Sequence, residues 1–295
     1  MRMRSRLPID TKEARLTLRI LRSSTTTMIG LVIAVAFVAT AIVLWLTSDS
    51  ILPYNPSSIT AAIVQPPSIV HIFGTDELGR DVFSRVMAAV PIDAEIPFSV
   101  VAIAVSMGLL TGTIAGYLGG LVEEVIMRVA DIFLAFPGLV LALAIVAALG
   151  PSTNNAILAL SPVWWPGYTR LARGETLSVK SQQYVEASRA AGHGARYIIV
   201  HHIIPNIVPV ILVYATLDLR VVIIIFSVLS FIGLGAQPPT SEWGLMTVQE
   251  EHFLSSAPWI PLIPAAAILI VAVGFSLLGD GLRDALDPKT RSLFE

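Results

Sequence analysis

Apolar and polar positions alternate along this chain in long blocks rather than at short period. Met28 to Leu46 is almost purely apolar, and residues 48 to 74 then turn rich in Pro, Ser and Asn, with Pro53, Pro56, Pro66 and Pro67. Further apolar runs extend from about Ile96 to Ala115, up to Gly150, from Asn155 to Tyr168, from Ile207 to Phe231 and from Trp259 to Leu278. A run of roughly 20 apolar residues is long enough to cross a bilayer core as a helix. The pattern therefore predicts an all-α membrane protein with six transmembrane helices. The fourth is short and kinked, because Pro162 and Pro166 interrupt it around Trp164 and Trp165. No fixed-period repeat or low-complexity tract breaks this organisation.

The polar intervals are the informative part. Between the fourth and fifth runs lies Tyr184-Val-Glu-Ala-Ser-Arg-Ala-Ala-Gly-His-Gly-Ala-Arg-Tyr-Ile-Ile-Val-His-His-Ile-Ile-Pro-Asn206. Gln183 to Ala191 holds good helix formers and no breaker, and Gly192 suits the left-handed residue that closes a helix. Arg196 to His202 predicts a second short helix, and Pro205 stands where the next one opens. A bent helical pair of this kind is a small, shaped knob on the membrane face. A second polar interval, Gly74-Thr-Asp-Glu-Leu-Gly-Arg-Asp-Val-Phe-Ser-Arg85, reads as a capped surface element with a helix starting near Leu78 to Arg80.

Composition agrees with the block pattern: 55% hydrophobic and 14% charged residues, with a mean hydropathy of +0.77. There is no cysteine, which excludes disulfides, thiolate catalysis and Cys-ligated metals. The net charge of −2 is uninformative, but its distribution is not. Seven Lys and Arg precede the first run, five lie from Arg170 to Arg196 and three follow Gly281. The opposite loops hold Arg80 and Arg85 in one case and none in the other. The bias predicts both termini on the cytoplasmic side of a multi-pass cell membrane protein. The first run is long and lacks a small-residue cleavage site, so it reads as a retained span rather than a signal peptide.

Charges near the spans need separate explanations. Asp93 and Glu95 precede the second run, where acids suit a helix N-terminus or face a solute path. Glu124, Arg128 and Asp131 fall on one helical face and read as a structural cluster. Asp218 and Arg220 interrupt the fifth run; charges at that depth face a cavity or a partner, and two positions apart they point away from each other. His193, His201 and His202 with Glu186 lack the His-Glu-x-x-His spacing of a helical metal site, so no metal or catalytic residue is assigned. There is likewise no Gly-x-x-x-x-Gly-Lys-Ser/Thr phosphate loop.

Four strings resemble one family, and in the same order. Glu186-Ala187-Ser188, then Gly192, then Ile204-Pro205 has the spacing of the EAA loop of permease subunits in ATP-binding-cassette importers. Gly74 to Arg85, Phe231 to Gly244 and Gly279 to Pro288 resemble segments of the dipeptide and oligopeptide (peptide/nickel) branch, in the subunit type with a longer N-terminal region. The resemblance implies a type I importer permease fold, divided into residues 1–24 (cytoplasmic), 25–92 (first span and external loop), 93–282 (five-helix core with a coupling loop at about 180–204) and 283–295 (tail). It also implies a prokaryotic source, a second homologous permease, two ATPase subunits that carry ATP and Mg, an extracytoplasmic solute-binding protein, contact with membrane lipid, and no nucleic acid. In that scheme Tyr184, Glu186, Ala187, Ser188, Arg189, Gly192, His201, His202 and Pro205 form the ATPase-coupling loop. Asp218, Arg220, Asp93 and Glu95 are candidates for the translocation path or the permease partner. Ser188 replaces a second Ala, a small-for-small change, and His201 stands where Arg is expected; His202 stands where the general importer pattern has an Ile, although His-Ile-hydrophobic-Pro-Asn is familiar in the peptide branch. Within the same architecture the solute is a peptide, an oligosaccharide or a nickel chelate. A proton-coupled secondary carrier using Asp218, or a membrane-embedded hydrolase, would be a different class; the EAA-like loop argues against the first, and no catalytic constellation supports the second.

Overall fold

The computed structural model describes residues 21–286 apart from 49, 60 and 61. The basic residues before position 21 and the tail beyond Leu286, including Asp287 and Pro288, lie outside them. Ten α-helices make up the described chain: α1 (Thr25–Thr47), α2 (Val82–Leu118), α3 (Gly120–Leu134), α4 (Gly138–Leu149), α5 (Thr153–Lys180), α6 (Gln183–Ala190), α7 (Ala195–Ile198), α8 (Ile204–Phe231), α9 (Trp243–Gln249) and α10 (Trp259–Leu286). A π turn, Ile199–Ile203, joins α7 to α8.

The apolar runs become helices because helix formation satisfies every backbone N–H and C=O locally, which a segment without water requires. Four helical stretches are long and apolar enough to cross a membrane: α1, α2, the continuous stretch Ala195–Phe231, and α10. A fifth arises if α3 and α4 count as one span, but they bend by 86° between Leu134 and Gly138. The break falls where Pro137 caps α4 and cannot continue α3. The fourth apolar run proved to be the start of a longer element. Helix α5 continues for 28 residues through Pro162 and Pro166, carrying the polar residues from Arg170 to Lys180 on its second half.

Helix starts follow side-chain chemistry. Ser24, Asp81 and Ser152 cap α1, α2 and α5, each accepting a backbone N–H of the first turn. Asp81 thus starts α2 at Val82, slightly later than Leu78 to Arg80.

Close backbone approach holds α2 to α5. Gly108, Gly112 and Gly116 share one face of α2 at four-residue spacing, and a Cβ at Gly112 would stand 2.3 Å from the Thr169 carbonyl oxygen. Helices α1 and α10 meet similarly: a Cβ on Gly274 would lie 2.4 Å from the Ile33 side chain. Between them sits an aromatic core. Phe37 packs edge-on against Phe275 with ring centres 6.0 Å apart, and lies 5.8 Å from Trp243, whose indole N–H donates to the Val86 carbonyl at 2.9 Å. Trp243 therefore joins α1, α2 and α9.

Candidate functional site

The polar interval after α5 folds into a knob. Helix α6 buries one residue, Val185, which joins Ile198, Ile203 and Ile207 in an apolar cluster with Tyr168 and Ala172 of α5. These residues recur on one side because α6, α7 and the π turn all lie flat on the bundle end. Everything else on α6 faces outward or sits half-buried: Glu186, Ala187 and Arg189 are exposed, and Tyr184 is 44% exposed. Gly192 has φ +86°, the left-handed value expected of a helix-closing glycine. Ala195 starts the second arm, and Pro205 occupies the first turn of α8.

Rings fill the space that side-chain packing leaves open. Tyr197 is sandwiched between His193 and His201, with ring centres 4.2 and 4.3 Å away and nearly parallel planes. His201 Nδ1–H donates back to the Tyr197 carbonyl at 3.1 Å. His202 points to the other side, meeting Tyr184 and Tyr197 edge-on at 6.0 and 5.8 Å. The histidines of this stretch thus engage rings and nearby polar groups of the knob itself, and among the described residues no group of three or more His, Asp or Glu side chains converges at metal-binding spacing.

Cations tie the knob to the bundle. Lys180 donates to the Tyr117 carbonyl at 2.6 Å, at the end of α2, and its ammonium lies 5.4 Å above the Tyr117 ring. The Arg189 guanidinium sits over the same ring at 5.9 Å. Farther along α5, Arg170 donates to Asp131 at 2.5 Å and Arg173 pairs with Glu123. Asp131 therefore reaches across to α5, while Glu124 and Arg128 form an exposed pair at 3.9 Å.

The four candidates for a solute path occupy different surroundings. Asp93 is 2% exposed and accepts the backbone N–H of Trp243 at 3.2 Å. Glu242, also buried, caps α9 through N–H groups of Gly244 and Leu245 at 2.8 and 2.7 Å. Burial holds the Glu242 carboxyl above the ordinary carboxylate range despite its backbone donors. Glu95 is exposed beside an apolar groove formed with Trp45 and Phe98. Asp218 accepts the Tyr168 hydroxyl at 2.6 Å. Arg220 donates to Ser276 at 3.1 Å. Asp218 and Arg220 are half-buried and engage different helices, α5 and α10, as their two-residue separation requires.

At the opposite end of the bundle, the Gly74 to Arg85 segment is a buried ion cluster rather than a solvated face. Asp76 accepts Arg80 Nε at 2.7 Å, Arg85 Nη1 at 2.6 Å, and the backbone N–H groups of Leu78 and Arg80, both at 2.9 Å. His71 Nδ1–H donates to Asp81 at 2.9 Å. Glu250 completes the cluster 3.9 Å from Arg85, with neither oxygen hydrogen-bonded among the described residues. Desolvation, reinforced by Asp76 and Glu77, pushes its carboxyl up to about 7 against the pull of Arg85 and Arg80.

Sequence reasoning passed over several of these partners. The Gly108-x-x-x-Gly112-x-x-x-Gly116 spacing was visible and marks helix contact in a membrane. Tyr117, Tyr168, Lys180, Glu242 and Glu250 carried no local signal, because each acquires its role from residues far away in the chain.

Comparison with known proteins places these features in a family. The model of the family described as "Binding-protein-dependent transport system inner membrane component" matches residues 108–292. The "Dipeptide transport system permease protein DppC" of Alkalihalophilus pseudofirmus is 42% identical over 273 residues, covering 92% of this chain and 88% of its own. The "Probable D,D-dipeptide transport system permease protein DdpC" of Escherichia coli K12 is 46% identical over 235 residues, 80% of this chain and 78% of its own. Among solved structures, an inward-facing MetNI methionine ABC transporter chain overlays with a TM-score of 0.49 at 17% identity, covering 66% of this chain and 96% of the other. With an all-helical membrane fold and an EAA-like knob already in view, the chain belongs to the binding-protein-dependent transport system inner membrane components and is the permease subunit, not the enzyme, of an ATP-binding-cassette importer.

Proposed function

We propose that this permease imports short peptides, pairing with a second homologous permease over two ATPase subunits that carry ATP and Mg, and receiving solute from an extracytoplasmic binding protein. The observation that carries the coupling part is the knob itself. Its apolar side is plugged into the bundle by Val185, Ile198 and Ile203, while Tyr184, Glu186, Ala187 and Arg189 face outward from a short helix. Such a surface presents small residues for close approach and a few charged and aromatic groups for a docking groove. Motion of the ATPases would reach α8 through the π turn and α2 through Lys180, tilting the spans and switching access. The knob end faces the cytoplasm in this reading, with both termini there and six spans in all.

The names of the relatives support a peptide solute, since they include dipeptide and D,D-dipeptide permeases and the "Glutathione transport system permease protein GsiD" of Escherichia coli, 42% identical over 225 residues. No feature of the fold favours an oligosaccharide or a nickel chelate instead. Of the candidate path residues, Glu95 is the exposed one and is assigned to the partner or path face. Asp218 and Arg220 act there only through the sides that Tyr168 and Ser276 leave open. The test is purification in mild detergent with the neighbouring gene products, followed by ATPase assay with and without the binding protein. Arrival of a second permease and two ATPases, with hydrolysis stimulated by peptide-loaded binding protein, is the expected result. A chain that purifies alone, folded and without ATPase, overturns the reading.

A further inference from the structure

The glycines of the knob's hinge, Gly192-His193-Gly194, stand in open space: a Cβ at Gly192 or Gly194 would meet nothing within 4 Å. The two arms share the buried cluster of Val185, Ile198 and Ile203, and one hydroxyl adds a polar bridge between them. Ser188 Oγ, on α6, lies 3.0 Å from His202 Nε2 on the π turn and 3.2 Å from His193 Nδ1 within the hinge. His193 Nδ1–H donates to the Ser188 carbonyl at 3.1 Å, which leaves the Ser188 hydroxyl proton for His202 Nε2. His202 is in turn held edge-on by Tyr184 of α6 and Tyr197 of α7. The π turn contributes by widening the backbone at Ile199–Ile203, where His202 sits. An alanine at position 188, as the general motif has, would keep the carbonyl bond to His193 and lose both hydroxyl contacts.

We propose that Ser188 is a positioning residue for coupling: its hydroxyl pins α6 to the π turn through His202 and sets the angle between the knob's two arms. This rests on reading the knob as the ATPase-coupling element.

Hydrogen exchange on the purified complex in lipid nanodiscs reads the pin directly, in peptides covering Gln183–Ala191 and Ala195–Ile203. Ser188→Ala is expected to raise exchange in both peptides about fivefold, the scale of one lost hydrogen bond. Ser188→Thr, which keeps the hydroxyl at a half-buried position, is expected to restore it. The Ser188→Ala/His202→Ala double variant is expected to exchange no faster than His202→Ala alone, which already loses the bond together with the Tyr184 and Tyr197 ring contacts. In the same preparations, stimulation of ATP hydrolysis by the binding protein should fall about fivefold in Ser188→Ala and recover in Ser188→Thr, with all subunits still co-purifying. Unchanged exchange in Ser188→Ala, additive effects in the double variant, or failure of Ser188→Thr to rescue overturns the pin. Absence of ATPases from the wild-type preparation overturns the coupling reading instead, and the exchange comparison still decides whether the hydroxyl fixes the angle.

Discussion

At the end of the bundle that carries Gly74 to Arg85, the charged groups are folded inward. Asp76, Arg85 and Glu250 are each 2% exposed or less, and the Asp76 carboxylate accepts four N–H donors from within the chain. At the end that carries the knob, Glu186 and Arg189 face outward around a single buried valine. Both stretches are short, polar and rich in glycine, and both match family segments. Their energetics differ because a buried ion must find its partners inside the same chain, whereas an exposed one can await a partner from elsewhere. The first end is a lock for this subunit's own fold, and the second is a surface on which Glu186 stays exposed while Arg189 also lies over the Tyr117 ring.

Substitutions that break this contrast should do so in a graded way. Arg85→Ala removes the cation between Asp76 and Glu250 and leaves buried carboxyl groups uncompensated, a loss of about 3–5 kcal/mol. The expected outcome is a collapse in the yield of folded, monodisperse protein by size-exclusion chromatography, and recovery near wild-type levels would remove the lock. Next in size is Gly112→Leu. Its side chain would be driven into the backbone of α5 near Thr169, costing about 1–3 kcal/mol or more, whereas Gly194→Ala, in open space with ordinary φ, should lie within about 0.5 kcal/mol of wild type. Thermal unfolding in detergent compares the two.

Glu186→Lys should change stability by less than about 0.5 kcal/mol, since the residue is exposed. Its effect belongs in coupling. Stimulated hydrolysis in the assembled complex is expected to fall about tenfold, the cost of a docking residue worth about 1.4 kcal/mol. Unaltered stimulation would place the docking surface elsewhere. A further test of the buried end concerns pH. Burial raises Glu250 from an ordinary value of 4.5 to about 7, so the folded state holds its proton more tightly than the unfolded chain. The stability this contributes is complete below about pH 4.5 and is lost as pH rises through 7. Glu250→Gln should flatten that slope in thermal unfolding between these values, while Glu186→Gln leaves it in place.

Much of this contrast was unreadable in the sequence. Gly74 to Arg85 reads as a solvated face, because five charges in twelve residues carry no sign of burial on their own. Burial became possible only when Glu250, from beyond α9, arrived beside Arg85 and Asp76 gathered two arginines and two backbone donors. Asp93 likewise reads as a helix-start acid, yet it meets Trp243, 150 positions away. Ser188 looked like a neutral exchange for alanine until the fold brought His202 to its hydroxyl.

The sequence alone determined the helical class and the outline of the knob, because both rest on local physics, while four strings carried the resemblance to the family. Apolar run length sets whether a segment can span, backbone chemistry makes it helical, and Gly192 and Pro205 mark where a helix closes and reopens. Tertiary structure decided which charges are spent within the chain and which remain free, and it turned the fourth span into a helix that continues to the knob. Those outcomes depend on the desolvation and pairing of groups tens to hundreds of residues apart. No local pattern encodes such pairings, since the energy of each ion is fixed by the neighbours that packing delivers.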